Sequence, residues 1–264
     1  MFLFSVFLLL FLLVLSFLGS FFYGVDPTLL DKDAILVAPS FEHPFGTDRV
    51  GRDLLARVIE GGKTSLFIGF TSAFIASFVA LLYGSMAGFF RGVFDKTFIF
   101  VVDIFLTFPT FFLLLALVSY VDASSFVLIF IISITGWMSS ARLMRSESFE
   151  ISNKPYIKIL KIAGVRKSKI LLKYYAPLLA PIFLVSFTFG VGGAILAESS
   201  LSFLGLGIVP PQMSWGTIMS DGKDLLEIAW WISFFPGLAI FLVTFSLINI
   251  SNYFQSFVNK KEVQ

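Results

Sequence analysis

Six long apolar segments separated by polar loops make up most of the chain, at about residues 2–22, 66–90, 97–117, 126–144, 180–203 and 228–250. Each is predicted to be a membrane-spanning helix, because roughly 20 apolar residues cross the hydrocarbon core of a bilayer. The segments are too uniformly apolar, and the gaps between them too long, for a transmembrane β-barrel. We therefore expect an all-α membrane protein with six transmembrane helices, forming a single domain over residues 1–264.

The first apolar segment has a signal peptide as its alternative interpretation. No basic residue precedes it, and no A-x-A cleavage site follows it. Its apolar run also exceeds the roughly 7–15 residues that are usual in a signal peptide. An uncleaved first span is therefore favoured.

Composition agrees with a membrane protein and narrows the chemistry that the chain can carry. The chain is 57% hydrophobic and 14% charged, and its mean hydropathy is +0.92. It has no Cys and a single His, His43, which excludes disulfides, thiolate metal sites and histidine clusters. We expect no metal, no cofactor and no nucleic acid on this chain.

The sequence also lacks the motifs of common catalytic sites. Gly62-Lys63-Thr64 matches the end of a P-loop, but Arg57 stands where that motif needs its first Gly. Neither HExxH nor GxSxG occurs. We expect a chain that is not an enzyme.

The basic residues are distributed unequally between the two sides that six spans define. Thirteen of the 19 Lys and Arg residues fall on the side of the termini: Arg91, Lys96, Arg142, Arg145, Lys154, Lys158, Lys161, Arg166, Lys167, Lys169, Lys173, Lys260 and Lys261. The positive-inside rule places that side in the cytoplasm. Both termini and the loop 145–179 are thus predicted to be cytoplasmic, and the loops 23–64 and 204–227 external.

The basic segment 153–181 is predicted to form two short helices. Asn153 can cap the first, with Pro155 in its first turn and Gly164 as a left-handed stop. One face of this helix is apolar (Tyr156, Ile159, Leu160, Ala163) and another is basic (Lys154, Lys158, Lys161). The second helix is expected from about Ser168 to Pro177, where proline ends it. A lipid-facing anchor needs only charge and an apolar face, whereas the glycine hinge favours docking onto a partner.

Two acidic residues, Asp103 and Glu198, lie inside predicted spans. Ionisable groups within a membrane are costly and mark pathways or pairing partners. Both residues are therefore candidates for the translocation path. The alternative is that each contacts a backbone group, water or a neighbouring helix.

The basic segment resembles the cytoplasmic "EAA" loop of ABC importer permeases, with Gly164 and Pro177 as its Gly and Pro and Lys158-Ile159-Leu160 in place of the EAA triplet. Four further stretches are similar to the second permease subunit of the dipeptide, oligopeptide and nickel importers. They are HPFGTDRVGRDLLARVIEGGKTSL (43–66), DIFLTFPTFFLLL (103–115), ILAESSLSFLGLGIVPPQMSWGTIMSDGKD (195–224) and AWWISFFPGLAIF (229–241). The tail after Asn249 departs from this family, which usually carries a Gly-Asp pair there.

This resemblance implies a permease in the bacterial inner membrane that moves peptides. Its expected partners are a second, similar permease, two ATPase subunits that bind ATP and Mg²⁺, and an external substrate-binding protein. The coupling helix would be Tyr156–Ala163, ended by Gly164. The implied coupling residues are Tyr156, Lys158, Ile159, Leu160, Lys161, Ala163, Gly164 and Pro177.

Other functions remain open at this point. Nickel or another metal chelate is an alternative cargo within the same family. A secondary transporter would need internal symmetry and coupling-ion sites, and the sequence shows no repeat. A purely structural membrane subunit would not need a glycine-hinged basic loop.

Overall fold

A computed structural model describes the backbone of residues 1–262 and the side chains of residues 1–256. The predicted basic residues Lys260 and Lys261 therefore have no described side chains, and the end of the predicted domain, 263–264, lies outside the described residues. Within this part the α-helices are α1 (Phe2–Tyr23), α2 (Leu54–Phe90), α3 (Gly92–Thr107), α4 (Thr110–Val118), α5 (Ser125–Asn153), α6 (Pro155–Ile162), α7 (Lys167–Ile170), α8 (Ala176–Phe203), α9 (Trp215–Gly222) and α10 (Trp231–Glu262). A π-helical turn, Leu171–Tyr175, joins α7 to α8.

Five continuous helices are long and apolar enough to cross a membrane: α1, α2, α5, the helix from Lys167 to Phe203, and α10. The pair α3 and α4 makes a sixth span if it is counted as one. The all-α membrane fold is thus confirmed, with one of the six predicted spans broken.

The break lies in the third predicted span, 97–117, which is not a single helix. The axes of α3 and α4 differ by 81°. Pro109 has no N–H to donate, and its ring would clash with the carbonyl group four residues earlier. The residue before a proline also avoids helical geometry, and Phe108 is extended, with φ −86° and ψ 134°. Membrane-spanning helices can contain such a proline, but here the helix does not continue past Pro109.

Several helices extend beyond their apolar segments. α2 begins at Leu54 rather than near residue 66, because the side chain of Asp53 accepts a hydrogen bond from the backbone N–H of Ala56 and caps the helix. At 37 residues it is about 56 Å long, well beyond the roughly 30 Å hydrocarbon core. Hydropathy therefore located the apolar part of α2 and missed its polar first turns.

Pro177 does not end a helix, contrary to the sequence prediction. It lies one residue into α8, and the helix runs continuously from Lys167 to Phe203. Just before it, the N–H of Ala176 donates to the carbonyl group of Leu171, five residues back. A widened π turn thus immediately precedes Pro177, and such turns interrupt the regular hydrogen-bond ladder of an α-helix.

Glycines on α2 allow the neighbouring helices to approach closely. A β-carbon at Gly84 would lie 2.6 Å from the carbonyl oxygen of Ala141, and one at Gly88 would lie 2.5 Å from the side chain of Ser148. Gly84 and Gly88 form a G-x-x-x-G pair, which is typical of close helix packing in membranes. The result is a bundle in which α5 and α8 pack along α2, and α10 packs on α8.

Candidate functional site

The candidate coupling segment, residues 154–177, begins directly after α5, which ends one residue before Lys154. Lys154, not Asn153, is the N-cap of α6, and Pro155 occupies the first helical position. Asn153 is instead the last residue of α5, and its Oδ1 accepts a hydrogen bond of 3.0 Å from Arg91. The predicted capping role of Asn153 is therefore wrong, while Pro155 starts the helix as expected.

α6 ends in a Schellman motif around Gly164. The N–H of Val165 donates to the carbonyl group of Leu160 at 3.1 Å, and that of Gly164 donates to Lys161 at 3.2 Å. Gly164 has φ +71°, and a β-carbon there would meet nothing within 4 Å. Glycine is thus needed for the left-handed backbone alone, and the sharp stop predicted from the sequence is present.

Apolar residues of α6 point to two opposite sides. Ile157 is fully buried against Phe89, Ile151 and Ile170, and Leu160 is partly buried beside them. The exposed apolar face of α6 consists of Tyr156, Ile159, Ile162 and Ala163. Within it Ile159 is 64% exposed and Ile162 86%. The predicted stripe therefore divides, with Leu160 turned inward, and Ile162 joins the exposed side.

Ile162 was missed because the sequence stripe was built at i, i+3, i+4 and i+7 from Tyr156. Its spacing of three residues from Ile159 was a usable signal.

The two lysines among the candidate coupling residues, Lys158 and Lys161, also differ. Both side chains are exposed, but Lys161 also has partners, because its Nζ atom donates to Ser152 Oγ at 3.2 Å and lies 4.3 Å from the ring centre of Phe89. Burial and the nearby Arg91 lower the pKa of Lys161.

The coupling segment is fixed firmly to the bundle. Tyr175, in the π turn, is 1% exposed, and its hydroxyl group lies 2.6 Å from that of Ser152 on α5. Its ring meets the edge of Phe89 on α2 at 5.3 Å between centres. Pro177 is exposed at the start of α8. The π turn that follows α6 and α7 is therefore held against α2 and α5 and continues into α8.

The opposite end of the bundle holds a buried charge network. Asp48, fully buried, accepts hydrogen bonds from the backbone N–H groups of Val50 (2.9 Å) and Arg52 (3.0 Å), from Arg52 Nε (2.7 Å) and from the Arg57 guanidinium group. Arg57 also donates to Asp221 on α9 at 3.0 Å. Burial alone would raise the pKa of Asp48, but Arg57, Arg52 and the two N–H groups hold it below its usual value.

Asp53 joins three other parts of this end. Its Oδ1 accepts from the N–H of Ala56 at 2.9 Å and caps α2. Its Oδ2 lies 3.0 Å from the hydroxyl group of Tyr23 and 2.9 Å from Nδ1 of His43. Trp231 Nε1 donates to the carbonyl group of Thr47 at 3.1 Å. The polar residues of the stretch 43–66 thus mainly bond one another and neighbouring helices.

Glu198 is enclosed among hydroxyl groups between helices. It is 0% exposed, and its carboxylate accepts from Ser65 on α2 at 3.0 Å and from Ser202 at 2.7 Å. Ser65 Oγ also accepts from the N–H of Trp215 at 3.1 Å, which links α9 to the same cluster. The structure therefore places Glu198 in contact with neighbouring helices, which was the alternative considered for it.

Asp103 lies on α3 and forms an ion pair with Arg142 on α5. Its side chain is 52% exposed, so the two acidic candidates have different partners and opposite degrees of burial. Among the described residues, no group of three or more His, Cys, Asp or Glu side chains could hold a metal ion.

Comparison with known proteins gives consistent matches. A family model described as "Binding-protein-dependent transport system inner membrane component" matches residues 80–262. The "Oligopeptide transport system permease protein OppC" of Haemophilus influenzae is 32% identical over 243 residues, covering 91% of this chain and 78% of that protein. The "Dipeptide transport system permease protein DppC" of Bacillus subtilis is 32% identical over 246 residues, covering 92% and 76%.

The fold is also found among solved structures. An inward-facing conformation of the MetNI methionine ABC transporter matches with a TM-score of 0.59 at 15% identity, covering 75% of this chain and 96% of that chain. At this identity the likeness concerns the fold alone.

Proposed function

The chain belongs to the family of binding-protein-dependent transport system inner membrane components, and we propose that it is the membrane-spanning permease subunit of an ABC importer of peptides. The observation that carries this proposal is the exposed apolar face of α6, which belongs to a segment that packs against the spanning helices. The names of the related permeases support peptides as the cargo.

Docking of an ATPase subunit gives the exposed face of α6 a function. An amphipathic helix that presents apolar residues at i, i+3 and i+7 fits into a groove of a partner protein. Tyr156, Ile159 and Ala163 have this spacing, and Ile162 widens the face. Lys158, exposed beside them, meets the same partner. This chain carries no catalytic site, and ATP and Mg²⁺ bind to two partner ATPase subunits.

The anchored segment would act as a lever. When the ATPase subunits close on ATP, they move α6, and Tyr175 with Ile157 transmits the movement to α2, α5 and α8. Switching a two-state transporter from 1:99 to 99:1 requires about 5.5 kcal/mol of differential binding free energy. This free energy comes from the partner subunits, while the permease and a second, similar permease form the path between them.

Orientation follows from the same proposal. The end of the bundle that carries α6 and most of the Lys and Arg residues faces the cytoplasm. The charge network around Asp48 then faces outward, where an external substrate-binding protein delivers the peptide. The membrane is the bacterial cytoplasmic membrane, with both termini inside.

Uptake measurements test the proposal directly. Cells with and without this chain are supplied with a labelled tripeptide and, in parallel, with labelled nickel. We expect ATP-dependent uptake of the tripeptide to be lost without the chain and nickel uptake to be unchanged. Loss of nickel uptake alone would keep an importer and overturn the peptide cargo, and unchanged uptake of both would contradict the proposed function.

A further inference from the structure

Two carboxylate–guanidinium bridges hold α3 against α5, and they differ in an unexpected way. Asp95 and Arg145 form the bridge nearer the basic end, and Asp103 and Arg142 form the second, eight residues further along α3. The side chains of Asp95 and Arg145 are 11% and 22% exposed. Those of Asp103 and Arg142 are 52% and 58% exposed. The bridge that lies deeper in the span is thus the more open one.

If these side chains faced lipid, the ion pair further along the span would be expected to be the more buried of the two. Asp103 is six residues into the predicted span 97–117, about 9 Å along the helix axis, or roughly a third of the hydrocarbon thickness. A charged pair at such a depth faces the interior of a bundle or a water-filled cavity, because exposure to lipid is costly. The open face of Asp103 and Arg142 is therefore a polar surface.

Neighbouring positions on α5 extend this polar surface. On α5 the residues Ser139, Arg142 and Ser146 are all exposed and follow one another at intervals of three and four. On α3 Thr107, one turn after Asp103, is also exposed, next to the exposed apolar residues Phe100 and Ile104. The outer half of α5 instead exposes Phe126, Phe130 and Ile134. The exposed face of α5 therefore becomes mostly polar toward Arg142, with Leu143 as an exposed apolar exception.

The two bridges also differ in how completely they use their hydrogen-bonding groups. Asp95 binds Arg145 through both of its oxygens, with 2.7 Å from Nη2 to Oδ2, and the guanidinium group stacks on Phe149 at 4.7 Å. Asp103 and Arg142 share one contact, between Nη2 and Oδ1. A guanidinium group has five N–H donors and a carboxylate can accept several bonds. The open bridge therefore retains capacity for a further ligand on each side.

We propose that Asp103 and Arg142 lie on the aqueous translocation path and bind the charged ends of the transported peptide. Arg142 receives the peptide carboxylate in a charge-assisted fork, and Asp103 receives the ammonium group. Each side chain thereby exchanges one ionic partner for another of the same sign. The identity of the ligand rests on the proposed function, whereas the contact with water does not.

Cysteine accessibility tests the contact with water. The native chain has no Cys, so single substitutions Ser139→Cys and Ser146→Cys report without background. In the assembled transporter, with and without ATP, a charged methanethiosulfonate reagent is added, and Phe130→Cys on the apolar half serves as control. Since the reagent needs a hydrated thiolate, we expect modification about tenfold or more faster at 139 and 146. Rates at 139 and 146 that are no faster than at Phe130→Cys, both with and without ATP, would overturn the path. Burial of this face against a second permease would give that result.

Protection by substrate tests the ligand. In the Ser139→Cys transporter, a saturating tripeptide is expected to slow modification about threefold or more by occupying the adjacent site. Asp103→Asn and Arg142→Gln should each abolish this protection, and Asp95→Asn, which disturbs the closed bridge, should preserve it. Absence of protection, or protection that survives both substitutions, would overturn the binding of peptide ends. If positions 139 and 146 are modified rapidly but cells without this chain take up peptide as well as cells with it, the proposed function is refuted instead.

Discussion

The two ends of the bundle use their unusual residues in opposite ways. At the end around Asp48 the charged groups are paired with one another, and the buried Arg57 joins the buried Asp48 to Asp221, whose side chain is 39% exposed. At the basic end the helix α6 leaves Ile159 and Ile162 largely exposed. Residues paired internally stabilise the fold, whereas an apolar face left exposed on a firmly held segment is available to the partner that we propose. Burial therefore distinguishes the two kinds of residue better than residue type does.

The largest effect is expected in the charge network around Asp48. Arg57→Leu removes the partner of a buried carboxylate and should lower the free energy of unfolding by about 3–5 kcal/mol. Arg49, which is exposed and donates only to the backbone of Asp221, is the matched control. Thermal unfolding of the purified chain in detergent measures both variants. Equal stability of Arg57→Leu and Arg49→Ala would show that the network does not stabilise this end.

A matched pair on α6 sharpens the comparison within one helix. Ile157 is buried and Ile162 is exposed. Ile157→Ala should cost about 2–5 kcal/mol of stability, because it leaves a cavity, whereas Ile162→Ala should change stability by less than about 0.5 kcal/mol. Thermal unfolding gives both values. If Ile162→Ala proved as destabilising as Ile157→Ala, the exposed face would have to be part of the core.

A smaller effect is expected at the end of α6. Gly164→Ala places a β-carbon at φ +71° in open space, and the left-handed backbone should cost about 1 kcal/mol. Gly193→Ala is a suitable control, because its added β-carbon also meets nothing within 4 Å and no left-handed backbone is involved. Unfolding experiments on the two variants measure the difference. Identical stabilities would mean that the Schellman stop does not depend on glycine.

The ionisation of Asp48 is expected to have the smallest effect on stability near neutral pH. Its pKa is lowered in the folded chain, so its contribution to stability is complete above the ordinary pKa of an aspartate, about 3.9. That contribution is lost as the pH falls through the lowered value. Unfolding temperatures across acidic pH should fall less steeply in Asp48→Asn than in the exposed control Asp33→Asn. Parallel curves would contradict the assigned role of Asp48.

Much of the fold was predictable because bilayer crossing requires long apolar segments. The break at Pro109 was not, since a bundle can restore the bonds that a proline removes and only the packing decides. The start of α2 at Leu54 was hidden by its polar first turns. Pairing of Arg57 with Asp221 joins residues far apart in sequence, and no local pattern encodes it.

The short helix α6 and the glycine stop after it were predictable from the sequence, but the inner and outer faces of that helix were not. Apolar residues occur on nearly every side of α6, so periodicity could not tell Ile157 and Leu160, which pack inward, from Ile159 and Ile162. Glu198 illustrates the same limit. Its place in a span indicated an interaction, and only the surrounding Ser65 and Ser202 identify that interaction as bonding between helices.

The central claim is that the exposed apolar face of α6 couples this chain to an ATPase. The most direct test is ATP-driven tripeptide uptake by the reconstituted transporter carrying Ile159→Asp or Ile162→Asp, with Val93→Asp as an exposed apolar-to-acidic control at the same end. We predict that both α6 variants assemble in the membrane and that their peptide uptake falls at least tenfold, while Val93→Asp keeps normal uptake. Each factor of ten corresponds to about 1.4 kcal/mol of docking free energy. Wild-type uptake in both α6 variants would contradict the account.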